Sequence, residues 1–167
     1  MLLLRKGGIY EAGGEFELEH HRFLLFPTFL HQNLNMLKSS EHADFQTVTA
    51  EPSRIRITAA AEVSDILPVT SRAAMDSMDA EHVWARPLID MRFNYKPRNP
   101  LYLLLLRIFR LRQPLTLDNT PAYAGCKSWV PLETAVPTAG ALPVLDDSRY
   151  EIRRRTILGK LTGVECK

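Results

Sequence analysis

Cysteine is scarce: Cys126 and Cys166 are the only two in 167 residues, one after a glycine and one next to the C-terminus. Two cysteines without metal-type spacing are read as reduced thiols, not as a zinc site or a disulfide framework. Long apolar runs are also missing. Leu101–Leu106 is the most apolar stretch, far short of the roughly 20 residues a spanning helix needs, so no membrane association is expected. Arg5 and Lys6 follow only three leucines, without the signal-peptide order of charge, apolar stretch and small residues, so a cytoplasmic location is expected. Neither sign of charge dominates. The net charge of +2 permits an anionic partner without demanding one, whereas dedicated nucleic-acid binders carry a stronger basic bias. No Walker loop, Gly-x-Gly-x-x-Gly fingerprint or Gly-x-Ser-x-Gly elbow occurs, and no internal repeat is visible.

The composition is that of a globular protein, with 46% hydrophobic and 24% charged residues, which argues against disorder. The length suits one domain spanning residues 1–167. At this size a chain buries roughly two-thirds of its unfolded surface and needs no staples.

Along the chain, residues 2–5 read as a strand that meets a glycine corner at Gly7 and Gly8. Glu15–Glu19 alternates with period two, the mark of a half-buried strand. Phe23–Phe26 is a further strand, stopped by Pro27. Thr28 is expected to cap a helix to about Lys38, followed by a loop over 39–51. A strand begins at Arg54 and continues towards Val69. Ser71 caps a helix to about Met78, and Pro87 opens a second over 86–93. Residues 101–111 form the best strand, apolar on both faces over its first six residues and therefore central in its sheet. Residues 127–132 give a last strand and 149–161 a helix, with Asp146 and Asp147 at its positive end. About six strands with three to four helices, and no regular helical crossovers, define an α+β domain. Its sheet is expected to be small, twisted and mainly antiparallel, or a partial β-barrel.

An ordered string of short motifs crosses most of the chain, from residue 3 to about residue 158. It comprises Leu3-Leu4-Arg5-Lys6-Gly7-Gly8-Ile9-x-Glu11, Glu19-His20 and Phe23-Leu24-x-Phe26-Pro27-Thr28-x-x-His31-Gln32. In the second half come His82-x-Trp84, Arg92-Phe93-Asn94-Tyr95-Lys96-Pro97, Leu103-Leu104-Leu105-Leu106-Arg107 and Gly125-Cys126-x-Ser128-Trp129-Val130. In these the chain resembles an uncharacterised bacterial family, domain-of-unknown-function family 1802. The resemblance implies no particular chemistry. Family members usually carry a short segment before the Leu-Leu-Arg-Lys-Gly-Gly strand, so the expectation is that either the start is placed late or the N-terminal part is truncated relative to the family.

Several groups of residues could carry function. Arg5 and Lys6 beside two glycines could hold a phosphate, or could be a solvated strand end entering a turn. Arg107 sits amid apolar neighbours on the best strand, so it either meets a carboxylate or points at an anionic ligand. Arg92, Phe93, Tyr95, Lys96 and Arg98, with Lys127 and Trp129, combine cations and aromatic rings as single-stranded nucleic acid or a nucleotide requires. The same rings could instead be core, since aromatics are only 8% of the chain. The leading expectation is a binding domain for nucleic acid or a nucleotide-like anionic small molecule. Its contacts would come from Arg5, Lys6, His31, Gln32, Arg92, Lys96, Arg107, Lys127 and Trp129. No cofactor is expected. The alternative is a metal-dependent hydrolase or nuclease using Glu11, Glu19, His20 and His31, although no strong ligand spacing is present.

Overall fold

A computed structural model describes residues 1–6, 18–27, 29, 32–45, 48, 50–124 and 127–162. Five strands, β1 (Leu2–Lys6), β2 (Arg22–Leu24), β3 (Arg54–Val69), β4 (Leu101–Asp118) and β5 (Leu142–Pro143), form one antiparallel sheet. Among the described residues three α-helices accompany it: α1 (Arg72–Asp76), α2 (Arg86–Asn94) and α3 (Asp147–Thr162). The fold is α+β, and the sheet is open, in the order β1-β4-β3-β2, with β5 continuing along the β1 side of β4. The expected antiparallel sheet and helix number hold, and the barrel alternative does not close.

β3 and β4 are the spine. They pair from Arg54 opposite Asp118 to Val69 opposite Leu101. β4 carries apolar residues to both faces, so both are covered, as its unbroken run of leucines requires. On one face Leu101, Leu103 and Leu105 pack with Met75, Met78, Ile89 and Ile157 from the helical side. On the other, Leu104 and Leu106 pack with Leu18, Ala61, Val63 and the flanking Trp129 and Phe23. Further along, Ile55, Ile57, Leu111 and Tyr123 make a third cluster.

Two register shifts shape this spine. Ser64 is an extra residue on β3, between the pairs Val63–Leu106 and Asp65–Leu105, the geometry of a β-bulge. Lower down, Thr58 stands alone opposite residues 111–114. Pro114 falls in that irregular stretch, where its missing N–H leaves no ladder bond unmade. β4 therefore runs past Pro114 to Asp118 rather than ending at residue 111.

Local chemistry sets the helices. The Ser71 side chain accepts from the Ala74 N–H and caps α1. Pro87 lies in the first turn of α2. The Asp146 carboxylate accepts from the Arg149 N–H and starts α3 two residues before the expected boundary. Polar contacts then pin α3 to the bulge. Asp65 accepts from Arg154 Nη2 at 2.5 Å and Nε at 2.7 Å, and the hydroxyls of Ser64 and Tyr150 share a hydrogen bond at 2.5 Å. Burial pushes the Asp65 carboxyl up, but the hydrogen bonds from Arg154 and Ser64 outweigh it and hold its pKa below the usual carboxylate range.

Three expected elements differ. Of the helix expected over 28–38, residues 28, 30 and 31 lie outside the described residues, and 32–38 hold a short 3-10 turn, Leu34–Met36, instead of an α-helix; the Asn33 side chain accepts from the Asn35 N–H and offers the backbone a tight turn. A second 3-10 segment, Ser39–Asp44, occupies part of the expected loop. Residues 127–132 join no strand and dock by side chains, Trp129, Val130 and Leu132 lying against the sheet. Of the expected strand at 15–19, residues 15–17 lie outside the described residues, as do Gly7 and Gly8. Among the described residues, no helix is long and apolar enough to cross a membrane.

Lys96, in the connection from α2 to β4, has φ of 43° and is the only described non-glycine residue with positive φ. A side chain in the left-handed region costs free energy that glycine avoids. Lys96→Gly is expected to raise stability by about 0.5 kcal/mol, read from denaturant unfolding; a loss of stability would show that the contact of Lys96 with the Tyr95 ring outweighs the backbone term.

Candidate functional site

The sheet face away from the helices opens into a cleft of about 880 Å³. Its floor is Leu3 from β1, Leu104 from β4 and Ile55 and Ile57 from β3, and among the described residues its walls come from 18–20, 23–27, 29 and 127–132. Strand alternation assigns the sides. On β1, Leu4 joins the helix-side core, so Leu3 and Arg5 face the cleft.

Arg5 stands at one end and donates from Nη2 to the Ser128 hydroxyl at 2.7 Å. Arg92 lies on α2, and among the described residues neither guanidinium has a carboxylate within ion-pair distance. Burial, and after it the positive charge of Arg92, pull the Arg5 pKa below its ordinary value. An arginine stays protonated regardless, so the shift marks a partly desolvated charge that also feels the charge of Arg92. The Nε of Arg92 and the Nε1 of Trp129 are both buried without a hydrogen-bond partner. Trp129 lies one residue beyond Ser128, with the rings of His20 and Phe23 in edge contact at centroid distances of 5.0 and 5.1 Å.

The expected contact residues separate in space. Arg5, Lys127 and Trp129 line the cleft; Arg92 does not line it, though its charge acts on Arg5. Lys127 also donates to the Ala122 carbonyl at 2.6 Å. Lys6 turns to the helical side and donates to the Phe93 carbonyl at 2.5 Å. Arg107 is on that side too. It pairs with Asp147 and lies over the Phe109 and Tyr150 rings, which is the carboxylate alternative, although Asp147 is exposed, not buried. The Gln32 side-chain oxygen accepts from the Val48 N–H, and Lys96 is exposed beside Tyr95. His31 lies outside the described residues.

For the metal alternative, Glu11 and His31 fall outside the described residues. Glu19 and His20 are adjacent on the cleft rim, 3.5 Å apart and exposed. No group of three His, Cys, Asp or Glu side chains that could hold a metal occurs among the described residues.

Two features escaped the sequence reading. Ser128 gains its place only by meeting Arg5, 123 positions away. The apolar cleft wall is assembled from two distant segments whose residues each look like ordinary core.

Outside the cleft, His82 is buried and stacked on Trp84 at 5.0 Å, and neither ring nitrogen makes a hydrogen bond of normal geometry, the nearest polar groups being the backbone of His82 and Trp84. Burial, then the nearby Lys38 charge, lower its pKa from the ordinary 6.5, against a smaller opposing pull from Asp79. The unfolded chain therefore binds a proton here more readily than the folded one, so stability is full above that value and falls as pH drops below it. Wild type should lose more melting temperature between about pH 7 and pH 5 than His82→Phe; equal losses would remove His82 from the account.

No curated protein and no solved structure matches the chain. The model of one family, Domain of unknown function (DUF1802), matches residues 1–156, and the chain belongs to that family.

Proposed function

We propose that the domain binds a phosphate-type anion carried on a larger body, the class to which nucleotides belong, with Arg5 and Arg92 on the anion. One observation carries this: Arg5 lines the cleft with no carboxylate partner among the described residues, and the charge of Arg92 acts on it. Like charges in a partly desolvated place repel, and an arrangement that costs stability is explained by a ligand that relieves it. Two forks of planar donors suit a phosphate better than lysine would. The unpartnered Nε of Arg92 and indole N–H of Trp129 are further donors without an acceptor.

An extended nucleic acid is less well served. A strand of phosphates calls for a continuous track of cations, but Lys6 and Arg107 face the other side and are engaged there. Calorimetric titration with pyrophosphate, ADP and a short single-stranded RNA across a salt series tests the reading. Binding of the small anions that weakens with salt is expected, with RNA gaining little per added nucleotide. No binding of any of the three at low salt would end the proposal, and affinity rising steeply with RNA length would replace it with nucleic-acid binding. Metal-dependent hydrolysis is the competing reading, because Glu19 and His20 line the same cleft. It calls for cleavage of ADP or RNA on adding Mg²⁺ or Mn²⁺, abolished by Glu19→Gln or His20→Asn.

A further inference from the structure

We infer that residues 33–44 form a strap that opens when the buried His82 takes up a proton, a device separate from the cleft. The strap crosses residues 79–85, whose Trp84 packs against the helix-side core. The Lys38 N–H donates to the Val83 carbonyl and the Ala85 N–H to the Met36 carbonyl, both at 2.9 Å, and Leu37 bridges Trp84 between them. The Lys38 ammonium also pairs with the Asp79 carboxylate at 3.1 Å. Lys38 thus holds one residue before His82 and one after it. The strap itself consists of two 3-10 segments outside the sheet, and the first, Leu34–Met36, buries none of its residues. Few bonds therefore keep it closed, and it can open without global unfolding.

His82 is 8% exposed, and neither ring nitrogen has a hydrogen-bond partner of normal geometry. A neutral ring fits there. An imidazolium brings a charge and two donors, and burying them unpaired is costly. The charged groups around it offer no free acceptor. Asp79 is held by Lys38, and Glu81, itself 7% exposed, by Arg153 and Lys160 of α3 at 3.1 and 2.7 Å. On the strap, Glu41 accepts from the Ser40 hydroxyl, and the Lys38 charge opposes a second cation. Arg86, at the start of α2, adds only another cation. His42 meets the Leu37 carbonyl through Nε2 at 3.1 Å, a bond that a protonated ring keeps as a donor. Opening the strap carries Lys38 away and lets water reach His82. The open form binds the proton more tightly than the closed form, so closure is strongest above about pH 6.5 and weakens as pH falls below it.

Native-state hydrogen exchange of the full chain, read by NMR at the Lys38 and Ala85 amides and corrected for intrinsic rates, tests this. From about pH 7 to pH 5 their protection should fall about tenfold. The fall should depend little on added denaturant, the mark of local opening, and the Leu103 and Leu105 amides of β4 should stay more protected throughout. His82→Phe, checked for folding by circular dichroism, should lose the pH step, and His42→Gln should keep it. Protection that is level across this range, that falls as far in His82→Phe, or that loses its step only in His42→Gln overturns the inference. So does exchange at Lys38 and Ala85 with the denaturant dependence of β4, since the strap would then open only with the whole fold. Wild type alone also decides: a His82 ring that charges, followed by NMR, while both amides keep their protection overturns it.

Discussion

The Arg5→Met/Arg92→Met variant is expected to bind pyrophosphate roughly 100-fold more weakly than wild type, while its melting temperature stays level or rises. A hydrogen bond from a charged donor contributes about 1.5–3 kcal/mol, and tenfold in affinity is about 1.4 kcal/mol. Each guanidinium removed should therefore cost about tenfold or more. Methionine keeps an aliphatic stem in place of the arginine stem, so packing is largely retained. What is lost is the repulsion that the Arg92 charge exerts on Arg5, hence the unchanged or higher stability. This opposition between binding and stability separates a ligand site from a structural one. A variant that loses stability in proportion to affinity would show that both arginines merely hold the fold.

Leu103→Ala is expected to destabilise the domain by about 2–5 kcal/mol, the range for truncating a fully buried leucine. Leu103 has no exposed surface and sits among Leu101, Leu105, Met75, Met78 and Ile89, where the sheet meets its helices. Both the transfer term and the residual cavity count there, because packed strands collapse poorly around a void. For a chain of this length the melting temperature should fall by roughly 5–15 °C. Ile152→Ala on α3 is the companion measurement: its side chain is 66% exposed, and a change within about 0.5 kcal/mol is expected. Similar losses at the two positions would contradict the helix-covered face as the main core.

What the sequence disclosed, and what it hid, follows from the range of the interactions involved. Alternation from Arg54, the Ser71 cap, Pro87 at a helix start and the leucine run of β4 are local signals, and each led to the element observed. Pro114 misled because its tolerance depends on the register shift opposite Thr58, a tertiary feature. Trp129 and its neighbours read as a strand because they are apolar by turns, yet they pack by side chains without ladder bonds. Arg107 was legible as a choice between a carboxylate and a ligand, and only the fold brings Asp147 to it, forty positions on. The cleft was the least legible. Arg5 and Arg92 each stood out as cations beside other signals, but no spacing rule joins residues 87 apart, and Lys6, adjacent to Arg5, points the other way because β1 alternates.

The central claim is that an anion is held jointly by Arg5 and Arg92 at the end of the cleft. Crystals grown with tungstate, a phosphate analogue with a strong anomalous signal, test it most directly. An anomalous peak within hydrogen-bond distance of both guanidiniums is the result this account predicts. Tungstate bound only at other cations, with the space between Arg5 and Arg92 unfilled or bridged by a carboxylate of the chain, would contradict it.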